Sequence, residues 1–219
     1  MSNSSNELMK ARRFLPLFLT QFFGALNDNL FKNALLVMIV SASIAGAANV
    51  NTVVNLAAGL FILPFFLFSA LAGQLADKYE KSLIIRRIKL AEILIMLLGA
   101  AAFWFGALWL LLAVLFLMGA QSAFFGPVKY AILPQHLGDD ELLAGNARVG
   151  MGTFVAILVG TIAGSLLGGT ANAYWLVGTV VICVALTGWC SSRQIPLAEA
   201  RAPSLRIDWN TPRISWQLI

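Results

Sequence analysis

Phe14 to Ser41 reads FLPLFLTQFFGALNDNLFKNALLVMIVS, and this stretch decides what kind of fold the chain can have. About 20 predominantly apolar residues cross the hydrocarbon core of a bilayer as a helix, and the stretch is long enough to do so. Its middle is not apolar, because Gln21, Asn27, Asp28, Asn29, Lys32 and Asn33 all fall there. An ionised side chain near mid-bilayer costs about 2.5 to 3.5 kcal/mol on insertion scales, so this polar set cannot face lipid. It must face protein or enclosed water. A helix of this kind therefore implies other helices packed around it.

The composition agrees. The chain has 219 residues, 59% of them hydrophobic and 11% charged, whereas an ordinary soluble domain carries roughly 25% charged residues. Ten acids and fifteen bases cannot clothe a soluble globule of this size. Disorder, a collagen-like chain and a disulfide scaffold are excluded by the same composition. The formal net charge is +5, but the bases lie between apolar runs rather than on one stripe, so they read as topology signals and not as a nucleic-acid surface. Cys183 and Cys190 lie inside one apolar run, where structural thiols are expected rather than a bridge, a metal site or redox chemistry. Neither a cofactor nor a resident metal is expected.

Six apolar segments are long enough to span: Phe14 to Ser41, Val53 to Ala72, Leu83 to Phe105, Leu108 to Ile132, Val149 to Leu167 and Tyr174 to Cys190. Bases decide their orientation, since short cytoplasmic loops are enriched in Lys and Arg. Lys10, Arg12 and Arg13 precede the first segment, and Lys78, Lys81, Arg86, Arg87 and Lys89 follow the second. Lys129 and Arg148 flank the fourth connection, and Arg193, Arg201, Arg206 and Arg213 follow the sixth. The opposite connections, near Ala45 to Asn51, at Gly106 and from Gly169 to Ala173, carry no charge. Both termini are predicted to be cytoplasmic. The run after Arg13 is too long for a cleaved signal peptide. The predicted organisation is a cytoplasmic terminus over 1–13, a six-helix membrane bundle over 14–190 and a cytoplasmic linker over 191–219. In that linker Pro196, Pro203 and Pro212 break helices, Trp209 and Trp216 could anchor at an interface, and the apolar turn Ile214 to Ile219 reads as the approach to something further.

Of the fifteen bases only Lys32 is expected deep within a span. Asp28 and Lys32 are one helical turn apart, so each can neutralise the other. Two readings stay open for the polar set: a self-satisfied knot that glues helices together, or the lining of a hydrated cavity that binds a polar or zwitterionic group. Glu92 is a second intramembrane acid, with Arg86, Arg87 and Lys89 near enough to offset it as an interfacial pair. Gln121 and Ser122 add weaker polarity in the fourth segment, and Lys129 near its end can snorkel. Gly160, Gly164 and Gly168 repeat every four residues and bare one face of the fifth segment for close helix packing.

Gly73-Gln74-Leu75-Ala76-Asp77-Lys78-Tyr79-Glu80-Lys81 resembles the signature loop of the major facilitator superfamily, G-x-L-a-D-r-x-G-r-k, with Glu80 in place of the second glycine and Ser82 in place of the last base. The fifth segment resembles that family's glycine-rich motif, with Ser165 where proline is expected. More narrowly, Phe22 to Lys32 and Phe125 to Pro134 resemble the bacterial lysophospholipid transporter group, including transporter modules fused to acyltransferase and ligase domains. The resemblance implies a twelve-span fold of two six-helix bundles. This chain would then be the all-α amino-terminal half, ending in the central linker and needing a carboxy-terminal half or a second copy as partner. It further implies inward movement of lysophospholipid, chiefly lysophosphatidylethanolamine, across a bacterial inner membrane for reacylation, with no enzymatic step in this chain. Leu115 stands where proton-coupled members carry Arg, which favours a facilitator. Asn27, Asp28, Asn29, Lys32, Asn33 and Gln121 are the expected substrate lining. Gly73, Asp77, Lys78, Lys81 and Lys129 are the expected gate. Rival readings are an exporter of drugs or small solutes, and a non-transporting scaffold for an acyltransferase.

Overall fold

The computed structural model describes residues 8–41, 49–170 and 173–208. The expectations for Trp209, Trp216 and Ile214 to Ile219, and residues 45–48 and 171–172 of the two uncharged connections after the first and fifth segments, lie outside the described residues. Among the described residues six long helices follow in order: α1 Leu15–Val40, α2 Val50–Lys78, α3 Lys81–Trp104, α4 Leu108–His136, α5 Asp139–Gly168 and α6 Ala173–Ser192. Four of them, α2, α4, α5 and α6, are long and apolar enough to cross a membrane by length and composition alone. The other two, α1 and α3, are those that carry charge in mid-helix.

The helix ends follow from local chemistry. Pro16 sits in the first turn of α1, where a missing amide hydrogen is harmless. Asn49 caps α2 by accepting from the Thr52 amide at 3.3 Å. At the end of α3, Gly106 takes φ +59°. The Gly106 amide donates to the Phe103 carbonyl and the Ala107 amide to Ala102, both at 3.0 Å. This reversal needs a left-handed residue and so stops the helix at Trp104. The start of α5 differs from the apolar reading by ten residues. It opens at Asp139 rather than Val149 because Glu141 accepts from the Gly138 amide at 3.1 Å and three acids occupy the positive end of the helix dipole.

Packing is pairwise. α1 lies against α5 and α6, α2 against α4, and α3 against both α4 and α6. Glycines make the α1–α5 contact close: an added Cβ would fall 2.5 Å from the Leu26 carbonyl oxygen at Gly160 and 2.8 Å from that of Ala34 at Gly168. At Gly164 it would collide with the Leu30 carbonyl. One apolar core, with Phe31, Met38, Met96 and Phe103 fully enclosed, fills the uncharged end of the bundle. A second, built from Phe14, Ile85, Ile132 and Leu137, fills the basic end. The outside stays apolar, with Phe66, Leu94, Phe154, Leu158 and Leu166 all exposed, as a surface surrounded by lipid requires. Cys183 and Cys190 are free thiols on that surface.

The segment after α6 is not a tether hanging free of the bundle. Ile195 and Ala198 are buried in the second core, and the backbone crosses the α2–α3 loop as a strap. The Lys81 amide donates to the Ala198 carbonyl and the Ala202 amide to that of Asp77, both at 2.9 Å. Pro196 keeps the strap extended rather than helical.

Candidate functional site

Asp28 and Lys32 were expected to neutralise each other, and they do not. Among the described residues the ion pairs are Arg13 with Glu141 and Lys89 with Glu92. Asp28 instead accepts from the Ser122 hydroxyl of α4 at 2.6 Å. The Lys32 ammonium lies 4.9 Å from the centre of the Phe61 ring of α2. A one-turn spacing permits pairing but cannot compel it when each side chain meets a better-placed neighbour across the bundle.

Both side chains border a cavity of about 350 Å³ between α1, α2, α4 and α5, with Lys89 of α3 also on its wall. Asn29, Gln121 and Lys129 line it too, with Phe61, Phe65 and Phe125 as apolar walls. Four of the six expected lining residues are therefore brought together: Asp28, Asn29, Lys32 and Gln121. Asn27 and Asn33 are corrected. Asn27 is fully buried behind the cavity, donating to Glu92 at 3.1 Å. Asn33 is turned along α1 and towards α5, donating to the Asn29 carbonyl at 2.8 Å and to the Thr161 hydroxyl at 3.2 Å. Successive residues on a helix point about 100° apart, so the five expected residues of α1, spread over the seven positions 27–33, cannot all share one face.

Lys89 is the larger surprise. Expected at an interface, it is fully enclosed, and its ammonium donates to Glu92 at 2.6 Å. Lys32 is thus not the only base deep in the bundle. Glu92 also accepts from Gln121 at 3.2 Å, and Gln121 lies 3.2 Å from the Ser122 hydroxyl. The chain of polar contacts therefore runs from a sealed ion pair, through Gln121 and Ser122, to Asp28 at the cavity. The sequence held one signal: Gly24 and Gly188 leave room for the lysine, an added Cβ at Gly24 falling 2.5 Å from its ammonium nitrogen and one at Gly188 falling 3.6 Å from it.

The expected gate divides. Lys129 sits on the cavity wall, its ammonium 4.8 Å from the Tyr130 ring centre, rather than with the α2–α3 loop. Gly73 faces open space, and Lys78 lies 5.7 Å from the Tyr79 ring centre. Lys81 is buried and donates to the Glu199 carbonyl of the strap at 2.8 Å. Glu80, the residue that departs from the expected glycine, is the α3 N-cap, accepting from the Ser82 and Leu83 amides at 2.8 and 2.7 Å and from the Ala198 amide of the strap at 2.9 Å. Partial burial pushes its carboxyl upward, but these donors outweigh that and hold it below the ordinary glutamate value. Beside it, Arg13 forks onto Glu141 at 2.5 and 2.6 Å. That hydrogen-bonded pairing lowers the Glu141 carboxyl and raises the Arg13 guanidinium.

The family model of the Major Facilitator Superfamily matches residues 17–219. The chain belongs to the major facilitator superfamily. As a member it supplies one all-helical six-helix bundle of the family fold. Among curated proteins it is similar to the Lysophospholipid transporter LplT of Escherichia coli O1:K1, 32% identical over 162 residues that cover 73% of this chain and 36% of that protein. The protein of the same name from Escherichia fergusonii is 29% identical over 157 residues, covering 71% and 37%. That from Serratia proteamaculans is 25% identical over 213 residues, covering 94% and 48%. The chain thus spans less than half the length of these relatives.

Proposed function

We propose that this bundle is the amino-terminal half of a multi-pass inner-membrane transporter that moves lysophospholipid, chiefly lysophosphatidylethanolamine, inward for reacylation by alternating access. One observation carries the reading. The cavity presents an acid and three bases, Asp28 with Lys32, Lys89 and Lys129, beside a wall of Phe61, Phe65 and Phe125; Lys89 is paired with Glu92, and Asp28, Lys32 and Lys129 are in no ion pair with any described residue. A zwitterionic head group with one acyl chain matches that arrangement: Lys32, helped by Lys129, meets the phosphate, Asp28 meets the ammonium, and the rings take the start of the chain. The similarity to proteins named lysophospholipid transporters supports the same substrate class.

Both termini are cytoplasmic in this reading, and the bases at the ends of the helices support that. The apolar outer faces of α2 and α5 are covered by a second six-helix half or by a second copy of the chain. The Asp77 loop acts as the inward gate, and a separate acyltransferase consumes the product. No bond is made or broken in the bundle itself.

The test is uptake of labelled lysophosphatidylethanolamine into spheroplasts that express the gene read to its natural stop codon, with and without Asp28→Asn at equal membrane abundance. Uptake that falls at least about tenfold in the variant supports the cavity. Undiminished uptake, or efflux of a panel of small drugs with no lipid uptake, overturns it.

A further inference from the structure

The helices α2 and α3 are consecutive and both pack on α4, yet they scarcely touch one another. Where they part at the basic end they leave a groove of about 330 Å³ on the outside of the bundle. Its floor is Phe124 and Val128 of α4, and its apolar sides include Leu75 of α2 and Leu83 and Ile88 of α3. This groove is distinct from the central cavity, because Phe125 and Lys129 line the cavity and the residues just before each of them line the groove.

One side chain makes the groove more than bare apolar surface. Arg86 and Arg87 are neighbours with opposite fates. Arg86 donates to the Ile195 carbonyl of the strap at 2.9 Å. Arg87 lines the groove, is exposed, and has no hydrogen bond or ion pair to any described residue. Tyr79 stands on the same rim, 46% exposed. No carboxylate lines the groove. An apolar slot that opens on lipid and ends at an uncompensated guanidinium has the polarity of one phospholipid, acyl chain along α4 and head group at the basic end.

We propose that this groove is a binding site for an anionic phospholipid such as phosphatidylglycerol, held by its phosphate on Arg87 and by one acyl chain between α2 and α3. A zwitterionic lipid brings an ammonium that finds no acid in the groove, so net negative charge is what the site selects. The assignment stands apart from the central cavity and from transport.

The test is native mass spectrometry of the purified chain, released from micelles containing equal amounts of phosphatidylglycerol and phosphatidylethanolamine. The expected result is preferential retention of phosphatidylglycerol, falling about fivefold in Arg87→Gln, the worth of one base at a membrane surface. Lys10→Gln removes an equal charge elsewhere at the basic end and should leave retention unchanged. Leu83→Trp keeps the arginine, fills the slot from its exposed side, and should also release the lipid. Equal retention of the two lipids, an equal fall in Lys10→Gln, or full retention in either Arg87→Gln or Leu83→Trp would overturn the site.

Discussion

Two pairs of opposite charges sit in this bundle at nearly the same spacing, and their fates differ. Lys89 and Glu92 are three residues apart on α3, sealed from solvent and joined at 2.6 Å. Asp28 and Lys32 are four apart on α1, half-buried, and turned to different partners, Ser122 and Phe61. Spacing along a helix allows both pairs equally. What separates them is enclosure: Lys89 and Glu92 are both buried, and with Asn27 and Gln121 also donating to Glu92 the carboxylate is held one turn from the ammonium. At the cavity each charge is left available. The first pair is satisfied within the bundle, and in the proposed function the second meets the ligand.

The strongest way to break this contrast is to remove one member of the sealed pair. Glu92→Gln leaves a buried ammonium without its counter-charge and should destabilise the bundle by about 3 to 5 kcal/mol, as should Lys89→Met. The double variant Lys89→Met with Glu92→Leu should recover most of that loss. Chemical unfolding in detergent measures all three; equal stability of the single variants and the parent would show that the pair is not sealed.

A smaller effect comes from crowding rather than charge. Gly24→Ala puts a methyl group against the Lys89 ammonium, 2.5 Å away, and should cost about 1 to 3 kcal/mol as the lysine is pushed off Glu92. Gly126 lines the cavity with open space around it. Its replacement by Ala should change stability by less than about 0.5 kcal/mol.

At the open pair the expectation reverses, with function affected and stability spared. Asp28→Asn keeps an acceptor for Ser122 and should shift unfolding by under about 1 kcal/mol. It should weaken binding of lysophosphatidylethanolamine to the purified chain about tenfold, by loss of one charge-assisted contact. Isothermal titration in detergent reads this directly, and a variant that unfolds before it loses binding would merge the two pairs into one structural knot.

The smallest effect belongs to a half-buried carboxylate at the basic end, for comparison. The folded Glu80 carboxyl lies below its ordinary value, so its contribution is fully present above that value, about 4.3, and is lost as the pH falls through the lower folded value. The protection of the Ala198 amide, its exchange rate relative to an unstructured peptide at the same pH, should therefore fall at acid pH. Glu80→Gln should leave a lower protection that no longer depends on that titration.

Much of this was legible in one dimension. Apolar runs gave the six helices to within a few residues except at the end of α2, which runs six residues past Ala72 into the charged loop, and at the start of α5, where a capping interaction extends the helix into a polar stretch that hydropathy ignores. The cost of polar groups in lipid pointed to α1 as the helix around which the others pack, and the Gly160, Gly164 and Gly168 spacing marked a close-packing face. Those are local or one-body properties, set by each residue's own solvation and by helix period. The partners of Asp28, the burial of Lys89, the inward turn of Asn27, and the strap seated on Glu80 and Lys81 were decided only by tertiary structure. Each depends on which residue of a distant helix arrives opposite, and charge pairing over a few ångströms follows that arrival, not the order of residues along the chain.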